Sequence, residues 1–177
     1  DALAPFTWPR NPRKRGGRFF GDGAFDTADG RTRMLPITPR APQALTADQP
    51  FRLNTGRIRD QWHSMTRTAK SPRLSQHLAE PYVEVHPRDA DRLGLSPDDL
   101  VTVSTPLGRC LMRVLISRNL APGQVFSPMH WTGETASAAR IDALVPPVVD
   151  PVSGQPESKS AAVRLQRFGA AWYGFAI

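Results

Sequence analysis

The groups best equipped for chemistry gather in one stretch, Leu53-Asn54-Thr55-Gly56-Arg57-Ile58-Arg59-Asp60-Gln61-Trp62-His63-Ser64-Met65-Thr66-Arg67-Thr68. An alternating segment runs into Gly56, where the backbone can approach a ligand closely. Three arginines and the hydroxyls of Ser64, Thr66 and Thr68 follow. A guanidinium grips phosphate through two parallel hydrogen bonds, and hydroxyls and freed backbone N–H groups complete such a cradle. The chemistry implied is retention of a polyphosphate. Arg57, directly after Gly56, is the arginine expected to clasp it, whereas Arg59 and Arg67 are expected to face solvent. Asp60 can accept hydrogen bonds from a base edge with adjacent donors. Trp62 reads as a core or lid residue rather than a stacking platform. His63 reads as a hydrogen-bonded structural histidine rather than an acid–base catalyst. Lys159, the only lysine after Lys70, follows a turn-rich loop and has an independent case as a site residue.

Composition narrows the alternatives. A single cysteine, Cys110, excludes an internal disulfide framework and any cysteine-ligated cluster built from this chain alone. None of the four histidines lies in an i,i+4 pair, which argues against a dedicated zinc site. No segment has the ~18 uninterrupted apolar residues of a membrane-spanning helix, and the N-terminus lacks the order of a signal peptide. Residues 1–80 hold 14 basic and 7 acidic groups, and the remainder holds 9 of each, so the entire net charge of +7 lies in the first half. A positive surface of this kind implies an anionic partner, unless it is simply a solvated face. With 177 residues the chain has room for one domain. It begins at Asp1 rather than Met, which leads us to expect a piece of a longer polypeptide.

The elements that must position these residues follow from periodicity and punctuation. Residues 1–50, with seven prolines and five glycines, read as an irregular arm. Within it Phe19, Phe20, Phe25, Met34 and Leu35 look like docking anchors, and Asp29-Gly30 signals a turn, as in a small hairpin. Phe51–Thr55 alternates as a strand. Residues 57–76 read as a long loop containing a helical turn. Tyr82–His86 is a second strand, with Val83 and Val85 on one face. Pro87 opens a short helix that Gly94 closes. Leu100–Thr105 and Cys110–Ile116 form a hairpin about Thr105-Pro106-Leu107-Gly108. Gln124–Pro128 and Ala161–Phe168 are further strands, and Thr135–Val145 is predicted as a short helix. The fold expected is mostly β, a compact barrel with short helices. There is no internal repeat, and Cys110 should be a buried structural thiol.

The run from Leu53 to Thr68 resembles the opening motif of the C-terminal domain of molybdenum enzymes related to dimethyl sulfoxide reductase. The segments Ala79-Glu80-Pro81-Tyr82-Val83-Glu84-Val85-His86-Pro87, Asp89-Ala90 and Leu93-Gly94-Leu95 resemble that domain's second strand and helix. Pro151-Val152-Ser153-Gly154-Gln155-Pro156-Glu157-Ser158-Lys159 resembles its far end. Arg59-Asp60-Gln61-Trp62-His63 and Met129-His130-Trp131 are most similar to assimilatory nitrate reductases. The resemblance covers residues 51–168 and, more weakly, the arm from Phe19 to Arg33.

The resemblance implies a double-psi β barrel (51–168) that binds molybdopterin guanine dinucleotide, preceded by an arm (1–50) and followed by an apolar tail (169–177). It implies that Thr55, Gly56, Arg57, Trp62, His63, Ser64 and Thr66 line the cofactor, with Trp131 and Lys159 as further pterin or substrate-channel contacts. The asparagine that the family often carries near Asp142 or Ala143 is missing. The parent would be a cytoplasmic nitrate-assimilating oxidoreductase holding a bis-dinucleotide molybdenum centre. Its metal ligand and iron–sulfur cluster would belong to upstream domains, which would be this domain's main partners. The fragment alone would be an inactive monomer with no catalytic or metal-binding residue of its own and no membrane partner. A formate dehydrogenase or periplasmic nitrate reductase is the alternative parent. From other classes come a basic barrel that binds nucleic acid and a purely structural cap. The aromatics, few and not interleaved with the arm's charges, weigh against nucleic acid. Residues 1–18 are expected to be mobile, and the run from Ala170 to Ile177 to pack back or lead into a further connection.

Overall fold

The computed structural model describes residue 4 and residues 18–171. The expectations for the first 17 residues, residue 4 apart, and for 172–177 lie outside the described residues. The chain divides into two compact units, Asp1–Arg40 and Ala41–Ile177.

In the first unit the Asp29-Gly30 turn forms, but without strands. The Phe25 N–H donates to the Gly30 carbonyl at 3.0 Å, and Gly30 takes a φ of 67°. Thr27 Oγ1 donates to the Arg31 carbonyl at 2.7 Å. Phe20 stacks on Phe25 with centroids 4.9 Å apart. Met34, Leu35 and Ile37 are exposed, Met34 at 91%.

In the second unit six strands close into a barrel: β1 (Phe51–Gly56), β2 (Tyr82–Val85), β3 (Leu100–Thr105), β4 (Gly108–Ile116), β5 (Gln124–Pro128) and β6 (Ala161–Arg167). Their order around the barrel is β1-β5-β2-β4-β3-β6. The β1–β5 and β2–β4 pairs are parallel, and the other four contacts are antiparallel. Advancing every strand by three positions, β1 to β4 and so on, maps this ring onto itself and preserves the sense of each pair. The three-strand halves are therefore related by a pseudo-twofold that the sequence does not display as a repeat. The closed, crossing topology is that of a double-psi β barrel.

The strands form where apolar and polar residues alternate, because one face must enter the barrel. Phe51, Leu53 and Thr55 of β1 point inward, whereas Arg52 and Asn54 do not. Val83, Val85, Val101, Val103, Val125 and Val163 are fully buried, each contributing roughly 1.5–3 kcal/mol of transfer free energy. Between β2 and β3, α1 (Pro87–Leu93) starts on Pro87 with His86 as its cap. The His86 Nδ1 accepts from the Arg88 N–H at 3.1 Å, and Gly94 ends the helix at φ 63°. Buried Asp89 accepts from the Gly123 N–H at 2.6 Å and from Arg92 at 3.0 Å, tying the helix to the turn before β5.

The helix expected over Thr135–Val145 shrinks to one 3-10 turn, Ile141–Leu144. The preceding residues run along the barrel instead. Ala138 offers its carbonyl to the Leu111 N–H of β4 at 2.7 Å, and Arg140 offers its own to the Cys110 thiol at 3.2 Å. At Gly108 any Cβ would meet the Ala143 carbonyl at 2.9 Å, so the hairpin turn and this segment pack backbone against backbone.

Candidate functional site

The parallel strands β1 and β5 end side by side at Gly56 and Pro128. Beside them lies a cavity of about 510 Å³, bordered by Asn54, Thr55, Gly56, Gln124, Phe126 and Lys159 among others. Thr55 is buried, and its hydroxyl donates to the Ser158 carbonyl at 2.7 Å. Lys159 Nζ donates in return to the Thr55 carbonyl. This exchange holds the segment before β6 against the end of β1 and brings the lysine to the cavity wall. A Cβ on Gly56 would fall 2.7 Å from Cε2 of Phe126, so a larger residue there would crowd that ring.

Beyond Gly56 the chain leaves the barrel but stays fastened to it. The Met129 N–H donates to the Gly56 carbonyl at 2.8 Å. The Ile58 N–H donates to Nε2 of His130 at 2.9 Å, and Nδ1 of the same ring lies 2.6 Å from the His63 carbonyl. Since Nε2 accepts, the ring hydrogen is on Nδ1 and is donated to His63. A turn closes from the Met65 N–H to the Trp62 carbonyl at 2.8 Å, with His63 and Met65 at positive φ (41° and 63°). Met65 is buried, so the loop carries its own apolar anchor. The Ser64 and Thr66 hydroxyls are 3.1 Å apart and exposed.

The three arginines divide by partner. Arg59 forms two hydrogen bonds to Asp60, at 2.9 and 3.2 Å, and His77 Nδ1 lies 2.9 Å from the same carboxylate. The Arg59 hydrogen bond foremost holds the Asp60 carboxyl below its ordinary range. Asp60 thus already serves two partners, Arg59 and His77, which lessens what it can offer a base edge. Arg57 and Arg67 are exposed, and among the described residues no ion pair or side-chain hydrogen bond engages either guanidinium.

Trp62 is 61% exposed, edge-on to His63 with ring centres 4.3 Å apart, so the core reading of Trp62 is overturned. Trp131 is 2% exposed and packs in the core cluster. The His63 ring is exposed, and its backbone rather than its imidazole makes the structural hydrogen bond. The structure therefore brings Thr55, Gly56 and Lys159 to one cavity wall. It sets Arg57, Trp62, His63, Ser64 and Thr66 on the adjoining loop, and withdraws Trp131 inside.

The sequence reading assigned no role to His130, Gln61 or Phe126. His130, completely buried between Met129 and Trp131, could have been noticed as a histidine in an apolar setting, which requires partners. Gln61 is 7% exposed; its Nε2 reaches the Leu74 carbonyl at 3.4 Å, and its Oε1 has no partner. Cys110 is buried, its thiol pushed up to about 11 chiefly by burial. No group of three His, Cys, Asp or Glu side chains among the described residues could hold a metal ion. The arrangement can bind and orient an anion through fixed donors and unpaired guanidinium groups.

Comparison with known proteins agrees with this architecture. Residues 51–162 match the family described as "Molydopterin dinucleotide binding domain". A nitrate reductase of Klebsiella oxytoca is 45% identical over 175 residues, covering 98% of this chain and 20% of that protein. The F420-dependent formate dehydrogenase 1 subunit alpha of Methanococcus maripaludis is 32% identical, covering 80% of this chain and 20% of that protein. The chain thus spans about a fifth of the length of the curated relatives it matches. Acetylene hydratase from Pelobacter acetylenicus shares the fold, with a TM-score of 0.60, 18% identity, and coverage of 68% of this chain and 18% of that one.

Proposed function

Because this chain belongs to the molybdopterin dinucleotide-binding domain family, we propose that it is the cofactor-binding C-terminal part of a nitrate reductase-type molybdenum oxidoreductase. The 45% identity to a nitrate reductase over nearly the whole chain favours that parent over a formate dehydrogenase, represented at 32%. The dinucleotide, in its guanine form and paired around molybdenum, would supply two-electron oxygen-atom transfer when bound. Its metal ligand and an iron–sulfur cluster would be contributed by upstream domains of the same polypeptide. We place that polypeptide in the cytoplasm; no helix among the described residues is long and apolar enough to cross a membrane.

The observation that carries the reading is the cavity at the end of β1, walled by Thr55, Gly56 and Lys159 and continuous in sequence with a loop bearing two unpaired guanidinium groups. The residues fit a pyrophosphate-linked ligand. Lys159 keeps two N–H donors beyond the one given to Thr55. Arg57 offers its whole fork, and the paired Ser64 and Thr66 hydroxyls add donors at the loop's tip. Trp62 and His63, exposed and mutually edge-on, give the ligand's ring system an aromatic wall. Residues 1–50 would serve as the arm that joins this barrel to the rest, and 169–177 as its tail. The domain binds, orients and supplies positive potential, and it moves no electrons itself.

The test is the molybdenum and guanine content per polypeptide of the full-length protein that carries this chain. Stoichiometric guanine and molybdenum are expected, falling together when Arg57 and Lys159 are replaced by alanine. Unchanged content in that double variant would overturn the placement of the phosphates. A protein free of guanine throughout would overturn the cofactor.

A further inference from the structure

In the β1–β5 register Gly56 lies opposite Pro128, and continuation by two residues would set Ile58 opposite His130. The ladder does not continue through the backbone there. The His130 side chain takes the place of a backbone acceptor, receiving the Ile58 N–H at Nε2, and its Nδ1 hydrogen reaches the His63 carbonyl five residues further along the loop. One completely buried imidazole therefore holds both ends of the Ile58–His63 span, 72 and 67 residues away in sequence. Its two nitrogens have opposite roles, and only one neutral tautomer satisfies both partners. Among the described residues neither partner has another hydrogen bond to fall back on, and an N–H left unpaired away from water is costly.

We propose that His130 is a positioning residue, a tautomer-fixed clasp that holds the Arg57–Met65 loop against the barrel in the form that receives the ligand's phosphates. The strained His63 and Met65 backbone is consistent with a loop that needs such fastening. The ligand half of this claim rests on the phosphate reading proposed above. The clasp itself rests on the geometry alone.

Two kinds of measurement on the chain separate the two. The first needs no ligand: ring ¹⁵N shifts of His130, and amide hydrogen exchange at Ile58. The ring is expected as the Nδ1–H tautomer, and a spectrum showing Nε2 protonated would overturn the clasp. In His130→Ala the Ile58 amide should exchange about tenfold faster or more, the factor that follows from one lost hydrogen bond. His130→Gln, whose amide carries a donor and an acceptor at similar separation, should restore most of the protection. Exchange unchanged in the alanine variant, or equally fast in both variants, would show packing alone and overturn the proposal. Should the alanine variant fail to fold, the ring spectrum and the glutamine variant decide. The second measurement is affinity for guanosine diphosphate, expected to weaken about tenfold in His130→Ala and to recover in His130→Gln. Faster exchange with unchanged affinity would overturn the ligand role. A wild-type chain that takes no guanosine diphosphate would overturn the phosphate reading, and the ligand half of the proposal with it.

Discussion

A guanidinium already paired with a carboxylate has less to offer a phosphate than one that is free, and this sorts the arginines of the loop. Arg59 is engaged by Asp60, its immediate neighbour, and among the described residues nothing engages the Arg57 guanidinium. Loss of a charge-assisted hydrogen bond should cost roughly 1.5–3 kcal/mol, about one to two decades in affinity. Arg57→Ala should therefore weaken guanosine diphosphate binding by that factor in a calorimetric titration, and Arg57→Lys should recover only part, because a point charge lacks the fork. Arg59→Ala should have the smaller effect; the reverse ranking would move the clasp to Arg59. Cys110 tests the same scale away from the site. Its buried thiol, raised from 9.0 to about 11, should resist alkylation at pH 8 until denaturant opens the barrel. A thiol raised on folding contributes stability that is complete below pH ~9 and is lost as pH climbs from there through about 11. Denaturant midpoints across that range should therefore fall more steeply for the wild type than for Cys110→Ala.

At the level of elements, the contact between Gly56 and Phe126 fixes how closely β1 and β5 run where they reach the cavity. Gly56→Ala forces a methyl to within 2.7 Å of the ring edge, an overpacking that should destabilise by about 1–3 kcal/mol. Because the obstacle is one side chain, the penalty should shrink when Phe126 is replaced by leucine, and a double-mutant cycle measures the coupling. Equal penalties in both backgrounds would mean that backbone strain, not the ring, sets the cost. The strands were legible because period-two alternation over Phe51–Thr55 or Tyr82–Val85 is a local signal with one solution. The helix was legible because Pro87 and Gly94 mark its ends. The adjacency of β1 and β5 was not, since nothing within either strand names a partner some seventy residues away. For the same reason the resemblance drew attention to the Met129-His130-Trp131 run but not to what His130 touches. The helix expected near residues 135–145 failed because β4 captures that backbone, a tertiary demand that outweighs local composition. The core half of the Trp62 reading fails for a related reason: Met65, three residues on, fills the buried position of the loop and leaves the indole outside.

For the whole molecule the decisive quantity is where the +7 resides and what it attracts. The excess lies in residues 1–80, which include both the arm and the loop, so charge alone fits a dinucleotide and an extended nucleic acid equally well. Salt separates them. A polynucleotide gripped through 6–10 phosphates loses about 10³–10⁵ in affinity between 50 and 200 mM salt, through counterion release. A nucleoside diphosphate offers only two phosphates, carries no dense counterion atmosphere, and is held partly by uncharged donors such as the Ser64 and Thr66 hydroxyls. Its affinity should fall less than about tenfold over the same range. The two titration curves should therefore cross: a fluorescent single-stranded oligonucleotide binds at 50 mM salt through the arm and is released at 200 mM, while guanosine diphosphate remains bound. Truncation of residues 1–40 should remove most of the oligonucleotide binding and leave the diphosphate affinity unchanged, because the cavity and its loop belong to the second compact unit. If the oligonucleotide still outcompetes the diphosphate at 200 mM salt after that truncation, the barrel is a nucleic-acid module and the dinucleotide reading fails.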